Sequence, residues 1–145
     1  LKWEINSMKV YRQGDSFIAP KGSFFDGNVQ IPGNFIVAPD THFWGRLDVE
    51  GALELGPRST VGGDVTCDNA IIGNQVRIKG FLNVLENVTV CDEARIRSLH
   101  AGGDITLRPG VQVGDVSSDE TIYVCGKIKS GKLTGRNVKV VGNGP

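Results

Sequence analysis

The chain has 145 residues, 39% of them hydrophobic and 22% charged, with 16 Lys+Arg balanced by 16 Asp+Glu. That length gives one domain with room for a sizeable core, and formal neutrality argues against a nucleic-acid partner. No apolar run approaches the ~20 residues of a membrane-spanning helix, no segment keeps helical periodicity over three turns, and three cysteines without CxxC spacing fit a reducing compartment better than a disulfide framework.

Residues 1–15 are mixed and polar, show no signal-peptide pattern, and read as an N-terminal cap or tether. Trp3, Ile5, Met8, Val10 and Tyr11 offer apolar cover for Phe17 and Phe25. A repeat then begins. "SFIAPKGSFFDGNVQIPG" (16–33) is followed by "NFIVAPDTHFWGRLDVEG" (34–51), and both carry Phe-Ile with a Pro after one or two intervening residues, then a Phe, a Gly, an aliphatic pair and a closing Gly. A repeat of this size is one structural unit that buries its apolar face only against a stacked copy.

The aliphatic after the shared Gly recurs as Val29, Leu47, Val65, Leu82, Leu99, Val116 and Leu133, in steps of 18, 18 and then 17. Two residues on, Ile31, Val49, Cys67, Val84, Ala101, Ser118 and Gly135 form a second column. An i, i+2 apolar pair is a short strand with that face turned inward. A second strand runs Phe35, Leu53, Ala70, Val88, Ile105, Ile122, Val138, with partners Val37, Leu55, Ile72, Val90, Leu107, Val124, Val140. A third starts at Ser23, Thr41, Ser59, Val76, Ala94, Val111 and Ile128, paired with Phe25, Phe43, Val61, Ile78, Ile96 and Val113. Pro20, Pro32, Pro39, Pro57 and Pro109 fall at corners between strands, where a missing N–H does no harm. Gly27, Gly45, Gly63, Gly80 and Gly131 fall there too, read as sites of positive φ. The corner column Asn34, Ala52, Asn69, Asn87, Asp104, Thr121, Asn137 reads as mostly residues that tolerate left-handed backbone. The pattern predicts an all-β, triangular, single-stranded parallel β-helix over residues 16–141. It has about seven coils and a length of roughly 34 Å, with residues 142–145 as a short tail.

Little chemistry stands on this frame. His42 and His100 point outward on different faces about three coils apart, a poor arrangement for a shared metal or base. Cys91 and Cys125 share a corner column with Arg108 between them, about 10 Å apart and beyond disulfide reach; Cys67 is an inward, small hydrophobe. Arg77, Arg95 and Lys129 make an outward strip that is either a solvated face or a surface for an acidic partner or anionic lipid. No paired carboxylates, phosphate loop or nucleophile triad is present. The sequence therefore predicts no catalytic residues, cofactor or metal.

Runs such as "VGGDVTCDNAIIGNQVRIKGFLNV" and "VQVGDVSSDETIYVCGKI" resemble the bactofilins, polymer-forming cytoskeletal proteins with aliphatic-x-Gly-x-aliphatic coils, over about residues 16–141. The resemblance implies a right-handed β-helix that polymerises end to end without nucleotide. It also implies a non-enzymatic cytoplasmic scaffold whose partners are further copies of itself, a membrane surface and recruited proteins. Val138, Val140 and Val141 stand where that family carries an end-contact Phe. The alternatives are a left-handed hexapeptide-repeat acyltransferase-like protein, since Phe43, Val49, Leu55, Val61 and Cys67 step by six, or a passive subunit of a larger complex. The six-residue phase slips at Ile72 and again after Ile96. A solenoid has two open ends. The candidate self-association residues are Val138, Val140 and Val141 at the C-terminal end. Trp3, Tyr11, Phe17 and Phe25 are the candidates for capping or association at the other.

Overall fold

The computed structural model of the chain describes residues 10–142, and among them it contains strands, turns and bends but no helix. Trp3, Ile5, Met8 and residues 143–145 of the expected tail lie outside the described residues. Three faces wind around one core as a parallel β-solenoid of about seven coils. The first face stacks Ser16–Ala19, Asn34–Val37, Ala52–Leu55, Asn69–Ile72, Val88–Val90, Ile105–Leu107, Thr121–Cys125 and Asn137–Val141. The second stacks Phe24–Phe25, His42–Phe43, Thr60–Val61, the starts of the long strands Arg77–Val84 and Arg95–Ala101, and Gln112–Val113. The third stacks Val29–Ile31, Leu47–Val49, Val65–Cys67, the ends of the same two long strands, Val116–Ser118 and Leu133–Thr134.

The expected columns are the observed registers. Val29 pairs Leu47, Val65 pairs Leu82, and Leu99 pairs Val116; Phe35 pairs Leu53 and Ala70 pairs Val88. The inward residues form one continuous buried cluster from Ala19 to Val124. Phe25 lies flat on Phe43 with ring centroids 4.8 Å apart, and Phe35 meets Phe43 edge-on at 6.0 Å. The buried hydroxyls are satisfied at their own corners: Ser23 Oγ donates to the Pro20 carbonyl at 2.6 Å and Thr41 Oγ1 to that of Ala38 at 2.9 Å, while Ser59 Oγ accepts from the Thr41 N–H at 3.1 Å. Burying a hydroxyl without such a bond costs on the order of 1–3 kcal/mol.

The change from 18 to 17 residues per coil also has a location. Between the inward residues Cys67 and Ala70, and between Ile96 and Leu99, a corner holds two residues, where Phe43 and Leu47 are separated by three. At the second of these the register shifts: Ile78 pairs Ile96, but Phe81 pairs Ser98.

Two corner assignments are corrected. Gly27, Gly45, Gly63, Gly80 and Gly131 do not have positive φ. A Cβ on Gly27 would meet nothing, but the other four are stacked on the preceding coil: a Cβ on Gly63 would lie 3.0 Å from the Gly45 carbonyl carbon and one on Gly80 2.7 Å from that of Gly63. Glycine is needed there for close backbone approach. Nor is the Asn34 column left-handed. Its side-chain oxygens reach the next coil: Asn34 Oδ1 accepts from the Ala52 N–H at 2.9 Å, Asn87 Oδ1 from that of Asp104 at 2.8 Å, and Asp104 Oδ1 from that of Thr121 at 3.2 Å. The left-handed residues stack at a different corner, between the first and second faces, as Gly22, Asp40, Arg58, Gln75, Glu93 and Gly110 at φ 59–82°.

Candidate functional site

The ends of the rod differ. At the N-terminal end Tyr11–Gln13 folds back as an antiparallel strand on Ser16–Ala19, with Arg12 opposite Phe17. Its two-residue loop begins with Gly14 at φ 63°, the backbone that a tight hairpin of this length asks of its first position. This strand occupies the outer edge of the first face, and Arg12 Cζ sits 5.6 Å from the centre of the Phe17 ring. Phe17 is half-buried and Phe25 is buried, whereas Tyr11, on the added strand, is exposed.

At the C-terminal end Asn137–Val141 pairs Thr121–Cys125 in parallel, with Ile122 opposite Val138, Val124 opposite Val140 and Cys125 opposite Val141. Val141 therefore belongs to the strand rather than beginning a tail. All five residues of that strand are exposed, and among the described residues no strand pairs with its outer edge. Val138 and Val140 continue the inward columns, but among the described residues no coil covers them. The structure thus brings Val138, Val140 and Val141 together on one apolar edge. Phe17 and Phe25 lie at the opposite end, and Trp3 lies outside the described residues.

Polar side chains along the rod are bound to neighbouring coils. His42 Nδ1 lies 2.7 Å from Thr60 Oγ1 and His100 Nδ1 2.5 Å from Ser117 Oγ, each on its own face. Asp40 accepts from Arg58 Nε at 2.9 Å, and that hydrogen bond holds its carboxyl below the ordinary value. Burial pushes the Cys67 thiol up to about 12 and raises that of Cys91. All three cysteines are free thiols, and at neutral pH Cys67 and Cys91 are protonated, which makes them poor nucleophiles. Among the described residues no group of three His, Cys, Asp or Glu is placed to hold a metal ion, and no helix is long and apolar enough to cross a membrane.

The second face carries the cations expected of it. Arg77 stands directly opposite Arg95, Arg95 opposite Gln112, and Gln112 opposite Lys129. They line a shallow open groove of about 700 Å³ together with Lys79 and Arg97 from the next corner. That corner also holds a feature missed in the sequence: Trp44, 70% exposed and edge-on to Phe24 at 5.3 Å. Its position immediately after inward Phe43, where other coils carry Gly62 or Gly114, was the available signal.

No protein-family model matches the chain, and no solved structure matches it significantly. Among curated proteins it is similar to the Bifunctional protein GlmU of Syntrophomonas wolfei subsp. wolfei, with 31% identity over 103 residues. The matched stretch is 70% of this chain but 21% of the relative, so the chain spans about a fifth of the length of the curated protein it resembles.

Proposed function

We propose that this β-solenoid is a non-enzymatic scaffold that polymerises end to end, without nucleotide, into filaments. The observation that carries the reading is the uncovered edge of Asn137–Val141. It ends a run of parallel strands with two inward-column valines open to solvent. A second molecule docked there would continue the sheets, pair the edge N–H and C=O groups and bury the apolar layer. The resemblance of the coils to the bactofilins supports the same reading. The pairing of Tyr11–Gln13 on the first face leaves the N-terminal end to associate through its other faces or to remain a cap.

Val140→Glu tests it. Contacts made tail to tail and head to head give each molecule two independent interfaces, so the variant forms dimers; a head-to-tail polymer yields monomers. Light scattering reads the mass, and filaments of undiminished length in negative stain would reject the C-terminal edge as an interface. A second reading, an acyltransferase-like protein, is favoured by the similarity to a protein named as bifunctional. Transfer of an acyl group from acyl-CoA to an amine at an enzyme-like rate would support it over the scaffold.

A further inference from the structure

The charges of this neutral chain are not evenly spread. Arg77, Lys79, Arg95, Arg97 and Lys129 gather on the second face and its neighbouring corner. Among the described residues none of them makes an ion pair; the pairs present are Arg46–Asp48, Arg58–Asp40, Arg108–Asp92 and Arg136–Glu120. Arg77 and Arg95 are direct neighbours in the ladder, an arrangement of like charges that disfavours the sheet. Among the described residues carboxylates stand only at the groove's margins: Glu93 on the far corner beside Gln75, and Asp115 beside Gly131, where its Oδ1 accepts from the Lys132 N–H at 2.9 Å.

The corner between the third and first faces has the opposite sign. Glu50, Asp68, Glu86 and Asp119 lie along it, and none of these four has an ion pair among the described residues. Their backbones are stacked: the Glu86 N–H donates to the Asp68 carbonyl at 2.8 Å, and the Asp68 N–H to that of Gly51 at 2.9 Å. Glu86 Oε1 does accept from Asn69 Nδ2 at 3.0 Å, a neutral partner that leaves its charge uncompensated. In a three-faced rod the corner between the third and first faces is the one opposite the second face. The rod therefore has an acidic ridge on one side and a basic, slightly hollow face on the other, both running along the axis with the coil spacing of about 4.8 Å.

We propose that these two surfaces are one lateral interface: the acidic ridge of one rod seats in the basic groove of a second copy of this chain lying beside it. Ridge and groove share the axial repeat, so a register shift by a whole coil keeps carboxylates facing guanidinium groups. Because the two surfaces lie on opposite sides, the contact is heterologous and does not close on itself. Repeated, it lays rods side by side into sheets or bundles. The inference does not rest on end-to-end growth, since neither surface includes the strand Asn137–Val141.

Charge reversal tests it, with and without Val140→Glu, so that loss of lateral contacts is read separately from loss of end contacts. The basic-reversed variant carries Arg77→Glu and Arg95→Glu; the acid-reversed variant carries Glu50→Lys and Glu86→Lys. All four positions are exposed, and unchanged melting temperature confirms that each variant folds. At about 0.1 M salt, where charges act over roughly 10 Å, the parent chain is expected to form assemblies several rods wide in negative stain, narrowing to single rods at about 1 M salt, where the reach is roughly 3 Å. Each variant alone gives single rods at both, and mixing the two restores width. Mixtures no wider than either variant alone would overturn the proposal. So would a parent chain that stays as single rods yet binds phosphatidylserine vesicles through Arg77 and Arg95, because the occupant of the groove would then be a membrane.

Discussion

On the first face Phe17 is half-buried and Ala19 fully buried at the N-terminal end, whereas at the other end Val138 and Val140 are 44% and 80% exposed. The residue types are of the same kind, and all continue inward columns. What differs is the layer above. On the first face the strand Tyr11–Gln13 lies over the N-terminal edge, turned antiparallel so that it cannot pass as another coil. In a structure whose layers are so alike, the burial of an apolar residue is set by its neighbour in the stack rather than by its own chemistry. Capping one edge in this way is a common means of stopping sheet growth, and the open edge at the other end is where growth would remain available.

The comparison is broken most directly by truncating both ends. Phe25→Ala should cost about 3–5 kcal/mol, because the ring is buried against Phe43 and leaves a cavity. Val140→Ala should change stability by less than about 0.5 kcal/mol, since the side chain is exposed. Denaturant unfolding under conditions that keep the chain monomeric measures both; equal losses would mean that the two end layers are covered alike. A smaller effect sharpens the role of the added strand. Gly14→Val places a branched side chain at φ 63°, a strain of roughly 1–3 kcal/mol, part of which is relieved if Tyr11–Gln13 detaches. The variant should then associate more readily at its N-terminal end. Particle mass by light scattering should rise in the Val140→Glu background, and an unchanged mass would show that the strand blocks nothing.

The smallest effect is electrostatic and lies on the outer surface near the capped end. Arg58 lowers the Asp40 carboxyl below its ordinary value, so the pair's contribution to stability is present above about pH 4, the unfolded carboxylate range. It is lost as pH falls through the lower folded value. In Arg58→Ala the Asp40 titration, followed by carboxyl NMR, should move up toward the ordinary value. An unmoved midpoint would show that the ion pair is not formed in solution.

The inward columns were legible because side chains in a strand alternate with period two and stacked coils repeat that pattern at a near-constant interval. Val29, Leu47 and Val65 could be aligned by counting. The corners were not legible in the same way. Glycine and asparagine are the usual residues at positive φ, yet here Gly45 and Gly63 answer to the backbone beneath them, and Asn34 and Asn87 to an N–H in the next coil. The strained backbone falls instead on Asp40, Arg58, Gln75 and Glu93, of which only Asp40 is of a type enriched at positive φ. Tyr11–Gln13 was too short and polar to show strand alternation, and its reversed direction depends on a two-residue loop. Of the candidate site, the apolar edge of Val138 and Val140 could be read from the end of the columns. The facing positions of the basic groove and acidic ridge required the closed triangle.

The constant 17–18 residue interval between paired strands also bears on how the chain folds. Each loop that must close is of the same modest length, and loop-closure entropy rises only slowly with length. Adding coils therefore does not lengthen the search for any one contact, as it would in a sandwich whose first and last strands pair. A coil deposits on its predecessor, and every new layer meets the same interval and the same corner bonds. Rod length in such a protein can change by duplication or loss of whole coils while the folding problem at the growing layer stays the same.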